Sequence, residues 1–273
     1  MNRFGGLPAW IFMLIFFGLP LFALAPEAFS DGGSAFGRIF RDALFLGAVR
    51  NTVLLGLIAG ALSALVGAAI AIELARQPEG RRQWMMTLLG LPLAFSGLVI
   101  AYGFILAFGR AGLVTQLLAE LGADPARVGS WIYSVAGLGF AYAYYLIPRV
   151  ALSLYPVFAN LDDRPLLAAR TLGASRARAF WDTVVPEVMP SVLSSACLVA
   201  ALAMGTYGTA LALVGTQLNI VPLLLLAKVS DSGGDFPEAA AMSLVLLGIC
   251  ILVLGVGDVI TSRREQAALE RGH

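Results

Sequence analysis

Charge is scarce in this sequence. Asp, Glu, Lys and Arg together make up 13% of its 273 residues, against roughly 25% in a soluble globular domain. Apolar residues make up 59% of the chain, and the mean hydropathy is +0.85. This balance excludes an ordinary soluble domain and indicates a protein that crosses a membrane several times.

Histidine, lysine and cysteine are almost absent, and each absence excludes a chemistry. The only histidine is His273, so neither Ser–His catalysis nor a histidine-based zinc site is available within the membrane. The only lysine, Lys228, follows Ala227, whereas a phosphate-binding loop requires Gly-Lys. Cys197 and Cys250 both fall in predicted helices, which disfavours a disulfide. We therefore expect no catalytic residue, no metal site and no cofactor in this chain.

The few charged residues bear on two alternative functions, an intramembrane aspartyl protease and a secondary carrier. Gly255–Asp258 spells GxGD, a pattern of intramembrane aspartyl proteases, but that chemistry requires a second aspartate, and the predicted membrane interior has none. Ion-coupled carriers keep ionisable groups near mid-membrane, whereas Glu73 and Arg149 lie near predicted helix ends. A self-energised secondary carrier or channel for a small solute is kept as the alternative function.

Long apolar stretches are what the sequence has in place of charge. Six of them approach or exceed the roughly 20 residues that span a bilayer as a helix. They predict an all-α polytopic membrane protein, with one transmembrane domain over 1–273. The predicted helices cover about 7–26, 51–75, 84–108, 131–154, 188–214 and 239–260.

Basic residues indicate the orientation of these helices, because cytoplasmic segments carry an excess of Lys and Arg. With both termini inside, the inner segments hold 12 of the 18 basic residues and the outer loops hold 6. We predict N-in, C-in topology, which places the loop 155–187 in the cytoplasm. A short interfacial helix is predicted in the outer loop between Glu27 and Arg50.

The loop 155–187 carries strong helix punctuation. Asp162 and Asp163, followed by Pro165, predict a helix start, since acidic residues and an early proline suit a helix N-terminus. Gly173 is placed to end that helix in a left-handed conformation. Ser175 is placed to cap a second short helix through Trp181, after which Pro186 opens the fifth transmembrane helix.

The spacing within this loop resembles the EAA motif of permeases of binding-protein-dependent ABC importers, the type I or MetI-like family. Ala168-Ala169, Gly173 and Pro186 match that motif, with Thr183 and Val185 at its Ile and Leu positions and Leu167 replacing its glutamate. Two weaker matches accompany it: Asn51-Thr52 resembles an Asn-Thr pair of the family, and 91–99 resembles its LP…PGLV stretch, with Ser96 in place of a proline.

The resemblance implies a fold, a set of partners and a location. The chain would be a non-catalytic permease subunit in a bacterial inner membrane, with no nucleic-acid partner. It would pair with a second permease, identical or paralogous, receive solute from a periplasmic binding protein, and dock a coupling helix on a cytoplasmic ATPase dimer that holds ATP and Mg²⁺. The implied ATPase-coupling residues are Asp162, Asp163, Leu166, Leu167, Ala168, Ala169, Arg170, Gly173 and Ala174.

A second resemblance concerns the solute. The stretch 205–209 and the loop after it look like those of polyamine, thiamine, ferric-iron and phosphonate importers, and polyamine is our first expectation. Glycines in helix five would loosen it and expose carbonyl groups. The tyrosines suit cation–π contacts with a polyamine, although Tyr142, Tyr144 and Tyr145 are equally typical of a membrane-interface belt. The candidate path residues are Tyr102, Tyr145, Gly205, Thr206, Tyr207 and Gly208.

Overall fold

The computed structural model describes residues 11–215, 218–230 and 235–271, and no β-strand occurs within these ranges. The first four residues of the first predicted helix, 7–10, lie outside the described residues. The helices, labelled in chain order, are α1 (Ile11–Ala28), α2 (Ser34–Arg41), α3 (Ala43–Arg76), α4 (Glu79–Gly90), α5 (Gly97–Phe108), α6 (Leu113–Glu120), α7 (Pro125–Val128), α8 (Val135–Ala159), α9 (Arg164–Thr171), α10 (Arg176–Gly205), α11 (Gly208–Leu213), α12 (Val221–Ser230) and α13 (Phe236–Arg271).

Six segments of the described chain are long and apolar enough to cross a membrane, which confirms the predicted all-α fold with six spans. The spans are Ile11–Ala28, Ala43–Arg76, Gly97–Glu120, Val135–Ala159, Arg176–Gly205 and Phe236–Thr261. The predicted N-in, C-in orientation stays a prediction. The helix expected in the outer loop is present as α2, between α1 and α3.

The predicted third helix, 84–108, is not continuous. It is divided by a 3₁₀ turn over Leu91–Ala94 and an extended Phe95-Ser96 pair. Pro92 has no N–H to donate to a preceding turn, which favours an interruption there. Ser96 then restarts the chain as α5, because its hydroxyl accepts a hydrogen bond from the amide of Val99 at 3.4 Å.

The predicted fifth helix, 188–214, differs at both ends. Ser175 caps α10, which runs through a π-helical turn at Phe180–Val184 into Val185–Gly205 without a stop. The second short helix of the loop and helix five are therefore one helix, and Pro186 lies in its interior, just past the π turn. At the other end Thr206 has extended backbone, so the helix stops at Gly205 and resumes as α11.

The second and sixth predicted helices, 51–75 and 239–260, are longer than predicted. The second begins at Ala43, so Asn51 and Thr52 lie within α3. The side-chain amide of Asn51 donates to the carbonyl of Asn219 at 3.0 Å, and the Thr52 hydroxyl donates to the carbonyl of Ala48 at 2.8 Å. The sixth continues through the charged tail as α13. The fourth, 131–154, begins later, at Val135, where Ser134 caps α8.

The described chain divides into two compact units, each assembled from separate stretches of sequence, and the single transmembrane domain over 1–273 stays a prediction. One unit contains 1–52 and 219–249, and the other contains 53–218 and 250–273. The first has an apolar core of buried side chains: Ala28, Ala35, Ile39, Phe45, Ala48, Val221, Ala240, Ala241 and Met242.

Charged groups in the first unit join α2 to α13. The Arg38 guanidinium contacts Asp31 at 2.9 Å, Asp235 at 3.3 Å and Glu238 at 2.7 Å. Lys228 contacts the second Glu238 oxygen, also at 2.7 Å. The Ser34 hydroxyl, the Ala35 amide and the Arg38 guanidinium all donate to the Asp31 carboxylate and lower its pKa to about 2.

Small residues allow close helix packing in the second unit. A Cβ at Gly60 would lie 2.7 Å from the carbonyl oxygen of Ala196 and 2.9 Å from the Cβ of Ala200, so α3 and α10 approach closely there. Gly67 faces Val150 of α8 in the same way. Glycine and alanine stripes of this kind bring helix backbones together in membranes.

Candidate coupling loop and translocation path

The start of α9 is organised by an acid–base pair. Asp162 accepts hydrogen bonds from the Arg164 amide at 3.0 Å and from its guanidinium at 2.9 Å. These contacts lower the pKa of Asp162 and raise the pKa of Arg164. Asp163 is the N-cap residue, but its side chain makes no capping bond; Pro165 occupies the first turn. The two acids thus have different roles at the predicted helix start.

The end of α9 is a double hydrogen-bonded cap. Gly173 has φ +90°, and its amide donates to the carbonyl of Arg170 at 3.0 Å. The amide of Ala174 donates to the carbonyl of Ala169 at 3.1 Å. This pair of bonds is a Schellman cap, which requires a left-handed residue at the glycine position. The predicted role of Gly173 as helix terminator is confirmed.

The faces of α9 differ in what they contact. Leu167 is 54% exposed, the following Ala168 is also exposed, and Leu172 just beyond the helix is 89% exposed. Leu166 and Arg170, four residues apart, instead line a cavity with residues of α3 and α10. The predicted coupling residues therefore form a capped helix. Its apolar edge at Leu167 and Ala168 is exposed, whereas Leu166 and Arg170 line the cavity shared with α3 and α10.

The gap between α10 and α11 is the main irregularity in the second unit. The Tyr142 hydroxyl donates to the carbonyl of Thr206 at 3.2 Å, and the Thr206 hydroxyl donates to the carbonyl of Leu202 at 2.8 Å. Gly208 lies against Leu98 at the start of α5. The structure thus places the interruption of helix five next to the interruption of helix three.

Two hydroxyl groups at this gap, those of Tyr145 and Thr209, are buried and make no hydrogen bond of good geometry among the described residues, although Thr206 and Thr209 both lie close to the Tyr145 hydroxyl. Tyr145 packs edge-on against Tyr142, with ring centroids 5.8 Å apart. The Thr209 hydroxyl approaches Gly97 so closely that a Cβ there would lie 2.4 Å from it. Ser96 and Thr209 both lie in stretches that the sequence analysis singled out, but neither was predicted as a path residue, because the polar residues beside a helix break are recognisable only once the break is known.

The predicted path residues divide into two groups. Tyr145, Thr206 and Gly208 lie at the gap, together with Gly205, the last residue of α10. Tyr207 lies within the gap itself, but its side chain is 51% exposed. Tyr102 is 56% exposed, and neither tyrosine makes a hydrogen bond through its side chain within the described ranges. The gap thus presents hydroxyl groups, aromatic faces and the Thr206 carbonyl, which accepts the Tyr142 hydrogen bond. The helices α5, α8 and α11 contain no acidic residue.

A separate apolar cavity of about 360 Å³ lies along α5. Phe95, Val99, Phe104 and Tyr144 are among its lining residues. The Phe104 ring contacts Phe140 and Tyr144 edge-on, at centroid distances of 5.2 and 5.3 Å. Such a lining suits lipid or another helix, and it contains no charged side chain.

Comparison with known proteins identifies the family to which this chain belongs. Residues 64–266 match the family described as binding-protein-dependent transport system inner membrane component. The chain is 29% identical over 252 residues to the chloroplastic sulfate permease 2 of Chlamydomonas reinhardtii, spanning 92% of this chain and 66% of that protein. It is also 29% identical over 253 residues to the sulfate transport system permease protein CysW of Synechocystis sp., spanning 90% of this chain and 88% of CysW.

The chain also resembles a permease that is named for a different solute, and it shares its fold with a solved structure. The spermidine/putrescine transport system permease protein PotB of Haemophilus influenzae is 27% identical over 229 residues, covering 82% of this chain and 78% of PotB. A crystal structure of a bacterial ABC transporter involved in import of the polysaccharide alginate shares the fold, with a TM-score of 0.75, 17% identity, and coverage of 94% of this chain and 93% of that one. This chain belongs to the binding-protein-dependent transport system inner membrane components and is a multi-pass permease subunit of an ABC importer.

Proposed function

We propose that this permease subunit carries a small charged solute, delivered by a periplasmic binding protein, into the cytoplasm at the expense of ATP hydrolysed by a separate ATPase dimer. A second permease, identical or paralogous, completes the path. The observation that carries the proposal is α9: a short helix between two membrane spans, closed at both ends and exposed along an apolar edge.

Docking on the ATPase is assigned to that edge. Leu167, Ala168 and Leu172 offer an apolar surface to a groove on the partner. The Asp162–Arg164 pair and the Gly173 cap stabilise the two ends of α9. Because the helix ends do not fray, a displacement of α9 by the ATPase would also move the chain segments on either side of it. ATP binding would then favour one of two permease states through α9.

Solute passage is assigned to the gap between α10 and α11. Broken helices supply polar backbone groups to the path. The helices α5, α8 and α11 contain one charged side chain, that of Arg149 in α8. The Tyr142–Thr206 bond and the hydroxyls of Tyr145 and Thr209 support this assignment.

We propose two candidate solute classes, a polyamine and a tetrahedral oxyanion such as sulfate. Tyrosine faces suit a polyamine through cation–π contacts. The hydroxyl donors at the gap and the lack of acidic residues in α5, α8 and α11 favour the oxyanion. The sulfate permeases among the relatives agree with the oxyanion, whereas PotB agrees with the polyamine.

The test begins with affinity purification of the tagged full chain from its native membrane, followed by mass spectrometry. Co-purification of an ATPase and a permease partner is expected. Recovery of this chain with itself alone, and uptake that needs no ATPase, would support the secondary-carrier alternative instead.

The solute is then identified in proteoliposomes that contain the purified complex and its binding protein. ATP-dependent accumulation of radiolabelled sulfate is compared with that of spermidine in the same vesicles. Uptake of spermidine alone would overturn the oxyanion assignment and support our first expectation from the sequence.

A further inference from the structure

A cavity of about 600 Å³ lies between α9, the end of α3 and the start of α10. Three arginines from these three helices line it: Arg76, Arg170 and Arg176. Its apolar lining includes Phe180 and Trp181. One site thus collects three positive charges that are far apart in sequence, next to aromatic surface.

These arginines have no salt bridge anywhere in the part of the chain that the structure describes. Two nearby acids pair with other arginines: Asp162 with Arg164 at 2.8 Å, and Asp182 with Arg178 at 3.5 Å. A third acid, Asp163, lines the adjoining cavity and has no salt bridge among the described residues. Three guanidinium groups around one cavity repel each other, and an anion between them would remove that repulsion. Guanidinium groups match the oxygen geometry of phosphates, which they bind in a bidentate manner.

A second cavity of about 250 Å³ adjoins the first and shares Arg76, Leu166 and Phe180 with it. Ile72, Phe158 and Val184 supply apolar lining, and Asp163 is its acidic residue. Trp181 is 66% exposed at the first cavity, and tryptophan is enriched at the membrane–water boundary. A cationic site next to apolar side chains and an exposed tryptophan fits an anionic amphiphile better than free phosphate.

We infer that this arginine cavity binds the phosphate headgroup of an anionic phospholipid, with the start of its acyl region against the apolar side chains of Ile72, Phe158 and Val184. The bound lipid would hold α3, α9 and α10 together. Basic pockets at the ends of transmembrane helices bind such headgroups. The inference rests on the proposed position of α9 at a membrane surface but not on its docking to the ATPase.

The experiment measures lipid retention by the purified full chain without the ATPase, so that failure of the ATPase proposal leaves it interpretable. The chain is reconstituted in nanodiscs of equimolar phosphatidylglycerol and phosphatidylethanolamine, and retained lipids are counted by native mass spectrometry. Enrichment of phosphatidylglycerol is expected. Each of Arg76→Gln, Arg170→Gln and Arg176→Gln is expected to lower that enrichment about fivefold.

The matched control is Arg178→Gln, which removes the same charge from α10 outside the cavity. Enrichment that is absent in the unmodified chain, or equally reduced by Arg178→Gln, would overturn the inference. Displacement of the lipid by excess inorganic phosphate would point to a free oxyanion, and displacement by added ATPase would assign the cavity to the ATPase; either result overturns the lipid assignment.

A second readout does not depend on the arginine variants folding. Trp181 fluorescence should be quenched by brominated phosphatidylglycerol more than by brominated phosphatidylethanolamine, and the difference should vanish in Trp181→Phe. Equal quenching by the two lipids would contradict a headgroup-selective site.

Discussion

The Thr52 hydroxyl accepts a hydrogen bond from the amide of Val221 at 2.9 Å, although 169 positions separate the two residues. The same hydroxyl donates to the carbonyl of Ala48 at 2.8 Å, and Thr52 is 2% exposed. One buried side chain thus satisfies the first amide of α12 and ties that helix to α3 within the same unit.

Thr52→Val should destabilise the protein by about 1–3 kcal/mol, because valine preserves the shape but leaves the Val221 amide without an acceptor. The measurement is the thermal midpoint of the purified permease in detergent. Thr87→Val removes a comparable hydroxyl, bonded to the Gln83 carbonyl at an exposed site, and should change the midpoint little. Equal effects of the two substitutions would argue against the role of Thr52.

Gly60→Ala should cost about 1–3 kcal/mol, because the added methyl group would overlap the carbonyl of Ala196 and the Cβ of Ala200. Gly47→Ala, on the same helix, has nothing within 4 Å of the new Cβ and should be neutral or mildly stabilising. Thermal midpoints of both variants check this prediction. A neutral Gly60→Ala would mean that α3 and α10 can separate at little cost.

Gly173→Ala should weaken the α9 cap by about 1 kcal/mol, since alanine is disfavoured at positive φ, whereas Gly173→Asn should cost less. Gly173→Pro also removes the amide that donates to Arg170 and should uncouple ATP hydrolysis from transport. The measurements are membrane insertion, ATPase activity and uptake of the complex. Normal uptake by the proline variant would refute α9 as the coupling helix.

Tyr142→Phe should loosen the gap between α10 and α11, because the Thr206 carbonyl loses its donor at 3.2 Å. We expect about 1 kcal/mol of destabilisation and slower uptake. Tyr144→Phe is the matched control, since Tyr144 is 45% exposed on the same helix and its hydroxyl makes no hydrogen bond within the described ranges. Uptake and thermal midpoints that are the same in both variants would remove Tyr142 from the path.

Asp31 should make the stability of the folded protein depend on pH in the acidic range. Its pKa lies at about 2 rather than the ordinary 3.8, so its carboxylate stabilises the folded chain above about pH 4, and that contribution is lost as the pH falls toward 2. Asp31→Asn should flatten the dependence of the thermal midpoint on pH across this window, whereas Glu120→Gln should not. An unchanged acid dependence in Asp31→Asn would place the acid-sensitive group elsewhere.

Local patterns predicted the local features of this protein well. The helix start at Asp162 and Asp163 and the stop at Gly173 depend on residues a few positions apart, and the structure has both. The glycines near 205 indicated a weak point in helix five, and α10 ends at Gly205. The six spans follow from apolar length alone.

Features that depend on distant contacts were not predictable from those patterns. Asn51 and Thr52 looked like a helix boundary, because their partners, Asn219 and Val221, are far away in the sequence. Pro186 looked like a helix start, yet a π turn carries α10 past it. The arginine cavity needs Arg76 beside Arg170 and Arg176, and only the fold brings them together.

The first compact unit is built from two stretches that are far apart in the sequence, and this separation has a consequence for biosynthesis. Its two stretches, 1–52 and 219–249, are separated by residues 53–218, so nothing can close around Ile39 and Phe45 until the ribosome has passed Val221. At 5–20 residues per second this interval lasts about 10–30 s. During that time the nascent chain exposes apolar side chains destined for the core, and the insertion machinery or lipid must shield them. Ribosome stalling before residue 219 should therefore leave a fragment that is degraded quickly, even though most of its membrane spans are already present.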